Sequence, residues 1–357
     1  MREIREETVS FAVHDLRQFV TALLAKAGMD EEKSAAVARL LVLTDAMGRR
    51  THGVAMLLLY LKEIQNGTMR THGEPKVVRD NGITAVWDGE YLPGMWLVEK
   101  AILQAMPRAA EHGIAAVAIR RSHHIGCLAA LAKIAADQGF VALITNSDPA
   151  GQRVAPYGGT EALMTPNPLA FGYPGEHHPV LVDMCASITT TSMTRQKVAE
   201  GKLFDHPWLQ DAHGVPTRDP AVLENTTPRG SLLPLGGQEY GHKGYGLSLM
   251  VEALSQGLSG HGRKDAPKRW GGNTYVQVMS SDMFAGGNAF AEQMDYLSDR
   301  CRTNKPINPA QPVRVPGDAA AKSIADAQKK GISYDVLTWT GLCYWADKLG
   351  VEVPAYA

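Results

Sequence analysis

Residues 114–146 read IAAVAIRRSHHIGCLAALAKIAADQGFVALITN and carry the clearest indication of the fold. The apolar run at 114–119 is typical of a buried strand, and residues 127–138 have the apolar periodicity of a helix. A second apolar run occupies 140–146 and completes a strand–helix–strand unit. Such a unit predicts a local pair of parallel strands in an α/β protein. Further short apolar runs between 76 and 184 extend the predicted sheet.

Helical patterns precede and follow this region. Residues 1–75 form a predicted helical N-terminal segment, in which Asp30 is placed to cap the second helix. Residues 305–357 return to helices that we expect to pack against the N-terminal ones. The sequence therefore predicts an α/β core at 76–304 with helical segments at both ends of the chain.

Composition narrows the class of protein. The 36 Lys and Arg residues nearly balance the 37 Asp and Glu residues, so no charge excess indicates nucleic acid or an anionic membrane as a partner. The N-terminus has charges where a signal peptide needs an apolar core. Widely spaced cysteines are typical of a reduced, intracellular protein; they are Cys127, Cys185, Cys301 and Cys343. We expect a cytoplasmic enzyme that acts on a small molecule.

The adjacent histidines His123 and His124 lie between the first predicted strand and its helix, where α/β proteins often place functional groups. They admit three interpretations: a proton-transfer site, a metal site, or two ordinary loop histidines. Metal binding is the weaker functional interpretation, because adjacent strand residues point to opposite sides and no HExxH motif is present.

Two other stretches contain residue types suited to acid–base chemistry. Thr51 and His52 precede a glycine, so His52 is either an acid/base held by a hydrogen bond or an incidental residue beside a capping threonine. Asp183 ends an apolar run, and a buried carboxylate there must be paired or hydrogen-bonded. It either orients a histidine or caps the next turn.

Glycines are dense in GGQEYGHKGYGLSL at 236–249, before an apolar helical run, and Lys243 lies among them. Such an entrance to a helix suits a phosphate group, or it is simply a tight turn before a buried helix. It is not a Rossmann fingerprint, because Leu249 stands where the third glycine belongs and no strand precedes it.

The ordered set of motifs resembles the malate/L-lactate dehydrogenase family, whose NAD(P)-binding core lacks the Rossmann topology. The resemblance covers nearly the whole chain. It depends on THGVAMLLLYL, SHHIG, LITNSDP, APYGGTEALMTPNPLAFGYP, LVDMCAS, GHKGYGLSLMVEALSQGLSG and RVPGD. It implies a homodimeric enzyme with a mixed-sheet α/β core that transfers hydride between NAD or NADP and a 2-hydroxy or 2-oxo acid.

The resemblance also implies roles for individual residues. His124 matches the histidine beside the reacting carbon and is the expected acid/base, with His52 as the second candidate. Thr51 stands where relatives usually have Ser, and with Asp183 it belongs to a relay that supports proton transfer. The expected cofactor-binding residues are Asn146, Ser187, His242, Lys243, Pro316, Gly317 and Asp318.

One departure from the family concerns the substrate. Many relatives have an Arg shortly after His-Gly, suited to a substrate carboxylate, whereas this chain has Met56 in that neighbourhood. Arg49 and Arg50 lie just before Thr51 and are candidate substrate-binding residues, or else a solvated pair. His123, where many relatives have Asn, is expected beside the substrate, supporting the loop.

Two alternatives to a malate- or lactate-like dehydrogenase stay open. The first is a reductase of cyclic imino acids such as piperideine- or pyrroline-2-carboxylate. The second is a catalytically silent relative that binds a dinucleotide or metabolite. The Ser-to-Thr and Arg-to-Met differences leave room for the second alternative.

Overall fold

The structure is a computed structural model, and it describes residues 9–224 and 227–355. The strands, β1 to β12 in chain order, are Val9–Phe11, Lys76–Asp80, Thr84–Asp88, Ile114–Ser122, Phe140–Ser147, Pro168–Tyr173, Val180–Cys185, Leu209–Gln210, Pro216–Thr217, Ser231–Leu232, Gly272–Ser280 and Ile332–Tyr334. The helices, α1 to α11, are Val13–Lys26, Glu31–Ala46, Leu57–Gln65, Gly94–His112, Leu128–Ala136, Thr191–Ala199, Ala221–Glu224, Gly237–Glu252, Gly287–Arg302, Asp318–Lys330 and Val336–Leu349.

A seven-stranded mixed sheet with the order β2-β3-β4-β11-β5-β6-β7 forms the centre of the molecule. β3 and β4 pair in parallel, whereas β11 pairs antiparallel with both β4 and β5. The predicted parallel pair of β4 and β5 is therefore wrong: the two strands run in the same direction, but β11 lies between them. The predicted mixed α/β architecture is confirmed.

The central strand β11 was not among the predicted strands. Its middle residue Val276 lies opposite Val117 of β4 and Ile144 of β5, and Val276 and Val278 are fully buried. Helices α4 and α5 pack against the sheet and cover the apolar side chains of β4, β5, β6 and β11. No helix in the described part of the chain combines the length and apolar character needed to cross a membrane.

The two ends of the chain meet beside this core. β1 pairs antiparallel with β12, α1 contacts α11, and α2 contacts α10. The side chain of Asp30 caps α2 by accepting a hydrogen bond from the backbone N–H of Lys33, as predicted. The outer limits of the predicted segments, at residues 1–8 and 356–357, lie outside the described residues, and the boundaries near 75 and 305 stay predictions.

One edge of the sheet collects three of the predicted functional stretches. β4, β5 and β7 run in the same direction, because β11 is antiparallel to β4 and β5, and β6 is antiparallel to β5 and β7. Their carboxyl ends therefore point to the same edge. Residues 123–124, Asn146 and the turn at 183–187 follow or end these three strands.

Candidate active site

His124 follows β4 and is held by a tyrosine of α3. The Tyr60 hydroxyl lies 2.7 Å from Nδ1 of His124, and Tyr60 itself is fully buried. With Nδ1 engaged, Nε2 is the ring nitrogen left for a reactant. Burial holds the pKa of His124 well below its usual value, and the neighbouring His52 and His123 lower it further. The imidazole is therefore neutral at neutral pH.

His52 lies in a short 3-10 turn, Arg50–His52, and has a similar arrangement. Its Nδ1 is 2.9 Å from the Thr51 hydroxyl, and its ring centroid is 5.9 Å from that of His124, with the ring planes 24° apart. Burial lowers the pKa of His52, while the charge of Asp183 opposes the shift and that of Arg49 adds to it. The structure thus brings two neutral imidazoles face to face.

Asp183, near the end of β7, is linked to both the helix α5 and His52. Its Oδ2 accepts hydrogen bonds from the backbone N–H of Ala129, at 3.0 Å, and from the Cys127 thiol, at 3.5 Å. Burial, together with the Asp183 charge, raises the pKa of Cys127 to about 12, so this thiol is not a nucleophile. Asp183 therefore caps α5, and its negative charge also acts on His52.

The glycine after His52 is explained by a buried carboxylate. A Cβ at Gly53 would lie 1.8 Å from Oδ1 of Asp45, so no larger residue fits there. Oδ2 of Asp45 accepts hydrogen bonds from the backbone N–H of Val54, at 2.9 Å, and from the Tyr334 hydroxyl, at 2.5 Å. Asp45 thereby joins α2, the turn that carries His52, and strand β12.

The two candidate substrate-binding arginines point to different parts of the molecule. Arg49 is exposed, and its positive charge acts on His52 and Cys127. Nη1 of Arg50 instead donates a hydrogen bond, 2.5 Å long, to the Ser333 carbonyl of β12. The Arg50 side chain is thus bound to β12, while the positive charge of Arg49 acts on His52.

His123 is placed differently from its neighbour. It is fully buried, its ring centroid is 4.8 Å from that of Trp270, and its Nε2 is 3.5 Å from Oε2 of Glu63. Burial lowers the pKa of His123 to about 4 although Glu63 opposes the shift. A side chain without exposed surface supports the loop from inside and does not meet a substrate in this structure.

Trp270 and Tyr60 were not predicted as site residues. The Trp270 indole stacks with the His124 imidazole at a centroid distance of 5.2 Å and an interplanar angle of 28°. Trp270 lies in the loop between α8 and β11, and Tyr60 lies in the apolar run LLLYL. The only available signal was a tyrosine inside an otherwise aliphatic helix, since a buried hydroxyl needs a partner.

The glycine-rich stretch lies almost wholly inside a helix. α8 begins at Gly237, so the entrance to the helix lies at the start of this stretch and Lys243 lies in the second turn. A Cβ at Gly244 would lie 2.7 Å from the Ala186 carbonyl oxygen and 2.5 Å from that of Leu235. Gly244 thus allows α8 to approach the 183–187 turn closely, and Lys243 is its neighbour in sequence.

The remaining predicted cofactor residues fall into two groups. The Ser187 hydroxyl donates to the Thr189 carbonyl at 2.6 Å, and Ser187 forms a bridge with Pro234, just before α8. Oδ1 of Asn146 accepts a hydrogen bond from the Thr274 hydroxyl at 2.9 Å. His242 is exposed and contacts the ring of Tyr157 at 5.8 Å. Asn146 and Ser187 thus lie at the carboxyl ends of β5 and β7, whereas His242 lies in α8.

Pro316, Gly317 and Asp318 lie at the other end of β7. The Pro316 carbonyl accepts a hydrogen bond from the N–H of Leu181, and a Cβ at Gly317 would lie 2.5 Å from the Pro179 carbonyl oxygen. Asp318 pairs with Arg302 and with Nε2 of His178, 2.9 and 3.0 Å away. The structure does not bring this segment next to Lys243 or Ser187.

Comparison with known proteins identifies the family. A sequence model described as malate/L-lactate dehydrogenase matches residues 11–343. The chain belongs to the malate/L-lactate dehydrogenase family. The resemblance stated from the motifs is thereby confirmed.

Within this family, the chain is 36% identical to the malate dehydrogenase of Pyrococcus abyssi over 261 residues, 72% of this chain and 70% of that protein. It is 28% identical to hydroxycarboxylate dehydrogenase B of Escherichia coli K12, over 96% of this chain and 94% of that protein. The crystal structure of malate dehydrogenase from Entamoeba histolytica superposes with a TM-score of 0.91 at 26% identity, covering 98% of this chain and 100% of that chain. A Δ1-piperideine-2-carboxylate reductase from Pseudomonas syringae pv. tomato has a TM-score of 0.82 at 25% identity, covering 94% and 99%.

Proposed function

We propose that this chain is a hydroxy acid dehydrogenase that uses NAD or NADP and interconverts a small 2-hydroxy acid and its 2-oxo acid. Membership of the family gives the reaction class. The observation that carries the proposal is the pair of facing imidazoles, each with Nδ1 engaged by a hydroxyl and each with a lowered pKa. Such groups suit proton transfer to and from a substrate oxygen.

His124 is the proposed acid/base. In the tautomer in which Nδ1–H donates to the Tyr60 oxygen, Nε2 has a free lone pair. It accepts the hydroxyl proton of a 2-hydroxy acid during oxidation and returns it to the carbonyl oxygen during reduction. His52, with Thr51 at its Nδ1 and Asp183 acting on its charge, is the proposed relay partner.

Arg49 is the proposed binding group for the substrate carboxylate. Met56, in the neighbourhood where many relatives have Arg, is half-buried and uncharged, and Arg50 is bound to the Ser333 carbonyl. Arg49 is exposed, and its positive charge acts on His52. An arginine in this place suits a carboxylate next to the reacting carbon.

The 183–187 turn and the second turn of α8 fit a dinucleotide. Lys243 is exposed, with its ammonium 5.3 Å from the Tyr240 ring centroid, and no ion pair of Lys243 is found in the part of the chain that the structure describes. A free ammonium suits a phosphate, while Ser187, Asn146 and His242 supply hydrogen-bonding groups nearby. When bound, the nicotinamide accepts or supplies the hydride.

Replacing Lys243 tests this assignment. We expect Lys243→Ala to weaken dinucleotide binding about tenfold or more, because a phosphate contact is lost, while kcat at saturating cofactor changes much less. Fluorescence titration with NADH and NADPH measures the affinity. His177→Ala, in an exposed turn, is the matched control for removing a surface side chain. Unchanged affinity in Lys243→Ala contradicts the assignment.

A substrate panel tests the function itself. The absorbance at 340 nm is followed with NADH and with NADPH, using pyruvate, oxaloacetate and a cyclic imino acid as acceptors. Reduction of a 2-oxo acid supports the proposal, whereas reduction of the imino acid alone supports the reductase alternative, which the Pseudomonas syringae neighbour favours. A chain that binds dinucleotide but reduces none of them is the silent relative. The homodimer and the cytoplasmic location stay predictions.

A further inference from the structure

The two sides of His124 differ in charge. On the His52 side, Arg49 supplies a positive charge that acts on His52 and Cys127. A substrate carboxylate attracted to Arg49 therefore lies on that side, with its oxygen at carbon 2 near the histidines. The rest of the substrate can then reach the other ring that borders His124, the Trp270 indole.

The Trp270 indole forms an aromatic wall beside His124. The half-buried indole of Trp270 stacks with His124 and meets His123 edge-on, 5.2 and 4.8 Å between ring centroids. Tyr60, whose ring lies 5.9 Å from that of His124, is fully buried, so the surface open to a substrate is that of Trp270. Apolar aromatic surface of this kind favours an apolar substrate group over a charged one.

The wall is held in place by its two neighbours in sequence. Nε of Arg269 donates to the Thr68 carbonyl at 2.8 Å, and its guanidinium lies 3.9 Å from the Tyr91 ring centroid. A Cβ at Gly271 would lie 2.6 Å from the Ser122 carbonyl oxygen, so the backbone on the other side of Trp270 is packed against β4. The backbone on both sides of Trp270 is therefore anchored to other segments.

The same side disfavours a second carboxylate. Oε2 of Glu63 accepts a hydrogen bond from the Thr68 hydroxyl at 2.6 Å and lies 3.5 Å from Nε2 of His123, which burial keeps neutral. Arg269, whose positive charge also acts on His123, is already bound to a carbonyl and an aromatic ring. An anionic substrate group packed on the Trp270 indole would lose part of its hydration, and Arg269, bound to the Thr68 carbonyl and the Tyr91 ring, is not free to replace it.

We propose that the preferred substrate is a 2-hydroxy or 2-oxo monocarboxylate with an apolar side chain, which packs against Trp270 as the specificity-determining residue. The inference rests on the hydroxy acid dehydrogenase function proposed above. It assigns the carboxylate to Arg49, the reacting oxygen to His124 and the apolar side chain to the Trp270 indole.

The test compares kcat/KM for reduction of phenylpyruvate, 4-methyl-2-oxopentanoate, pyruvate and oxaloacetate. We expect the wild type to prefer the two larger apolar acids to oxaloacetate by about tenfold or more, the scale on which an apolar pocket discriminates. Trp270→Ala should lower kcat/KM for phenylpyruvate about tenfold and for pyruvate by less than about threefold. Trp270→Phe should retain most of the preference.

Trp208→Ala is the matched control, since Trp208 is half-buried in the separate apolar cluster beside β8 and β10; its substrate ratios should equal those of the wild type. A wild type that prefers oxaloacetate overturns the inference and leaves the dehydrogenase function standing. An equal loss for all four acids in Trp270→Ala, with circular dichroism showing a folded variant, also overturns it. Failure to reduce any of the acids overturns the proposed function itself.

Discussion

His124 and His52 have the same kind of Nδ1 partner but different surroundings, and the difference decides which one we expect to move the proton. The Tyr60 hydroxyl that holds His124 is fully buried, whereas the Thr51 hydroxyl that holds His52 is exposed. His124 also stacks with Trp270. We expect His124→Ala to lower kcat at saturating cofactor by about 100-fold or more and His52→Ala by less, because loss of an acid/base costs that much. A larger loss in His52→Ala reverses the assignment.

The pH dependence of the oxidation reaction is a second test of the proposed role of His124. A base must be unprotonated, and burial lowers the pKa of His124 below its usual value of 6.5. The kcat/KM for oxidation of a 2-hydroxy acid should therefore stay constant from pH 8 down to about 6.5 and fall only at lower pH. An acid limb centred above the usual histidine value contradicts the burial of this ring.

The residues proposed to react are easier to recognise in the sequence than the residues that hold them in place. His124, His52 and Asp183 are polar residues at the ends of apolar runs, and such residues stand out. The sequence predicts Tyr60 to be a core residue, because it has helical spacing among leucines. Trp270 lies in a loop whose path depends on contacts of Arg269 with Thr68 and Tyr91, which are distant in sequence. Contacts between distant segments leave no local pattern.

At the level of elements, the same limit explains the missed strand. β11 reads GNTYVQVMS, and its Asn, Thr and Gln residues hide the apolar alternation that marks a strand. Its buried polar residues are satisfied by contacts to other elements: Asn273 accepts from the N–H of Arg121, and Thr274 donates to Asn146. The direction of β4 and β5 was predictable from the helix between them, but the insertion of β11 was not.

Asp45 connects α2, the His52 turn and β12, and its contribution to the free energy of unfolding depends on pH. Burial raises the pKa of Asp45 from 3.8 to about 6. The carboxyl group of Asp45 therefore holds its proton more tightly in the folded chain than in the unfolded chain. The contribution of Asp45 to the free energy of unfolding then decreases as the pH rises from about 4 to 6. The size of this decrease is of the order of 2 kcal/mol. Asp45→Asn, which keeps an oxygen acceptor, should remove that part of the dependence.

Urea unfolding at pH 4.5 and pH 7 measures the effect. The wild type should lose more free energy of unfolding between these two pH values than Asp45→Asn does. Asp347→Asn, at an exposed position in α11, is the matched control and should follow the wild type. Equal differences in the wild type and Asp45→Asn contradict the buried-carboxylate explanation.

In the whole molecule, the two paired ends of the chain pack against the elements that carry the candidate active site. The turn with Thr51 and His52 and the helix with Tyr60 belong to the N-terminal part, and they are covered by β12 and α11 from the other end of the chain. Tyr334 of β12 holds Asp45, and Arg50 is bound to Ser333. The proposed catalytic residue His52 and its turn thus depend on contacts with the other end of the chain.

Trp339 of α11 makes apolar contacts that join the two ends of the chain. Its ring lies 4.0 Å from that of Phe11 in β1 and 5.7 Å from that of Phe19 in α1, and it is 6% exposed. We expect Trp339→Ala to lower the free energy of unfolding by about 3–5 kcal/mol, the usual cost of removing a large buried aromatic side chain. Urea unfolding gives the value, and Trp339→Phe should recover about half of it or more because it keeps most of the ring contact. Tyr344→Ala, an exposed aromatic residue of the same helix, is the matched control, with an expected loss below about 1 kcal/mol. A Trp339→Ala variant as stable as this control would show that the chain ends contribute little to the fold that holds His52 and Tyr60.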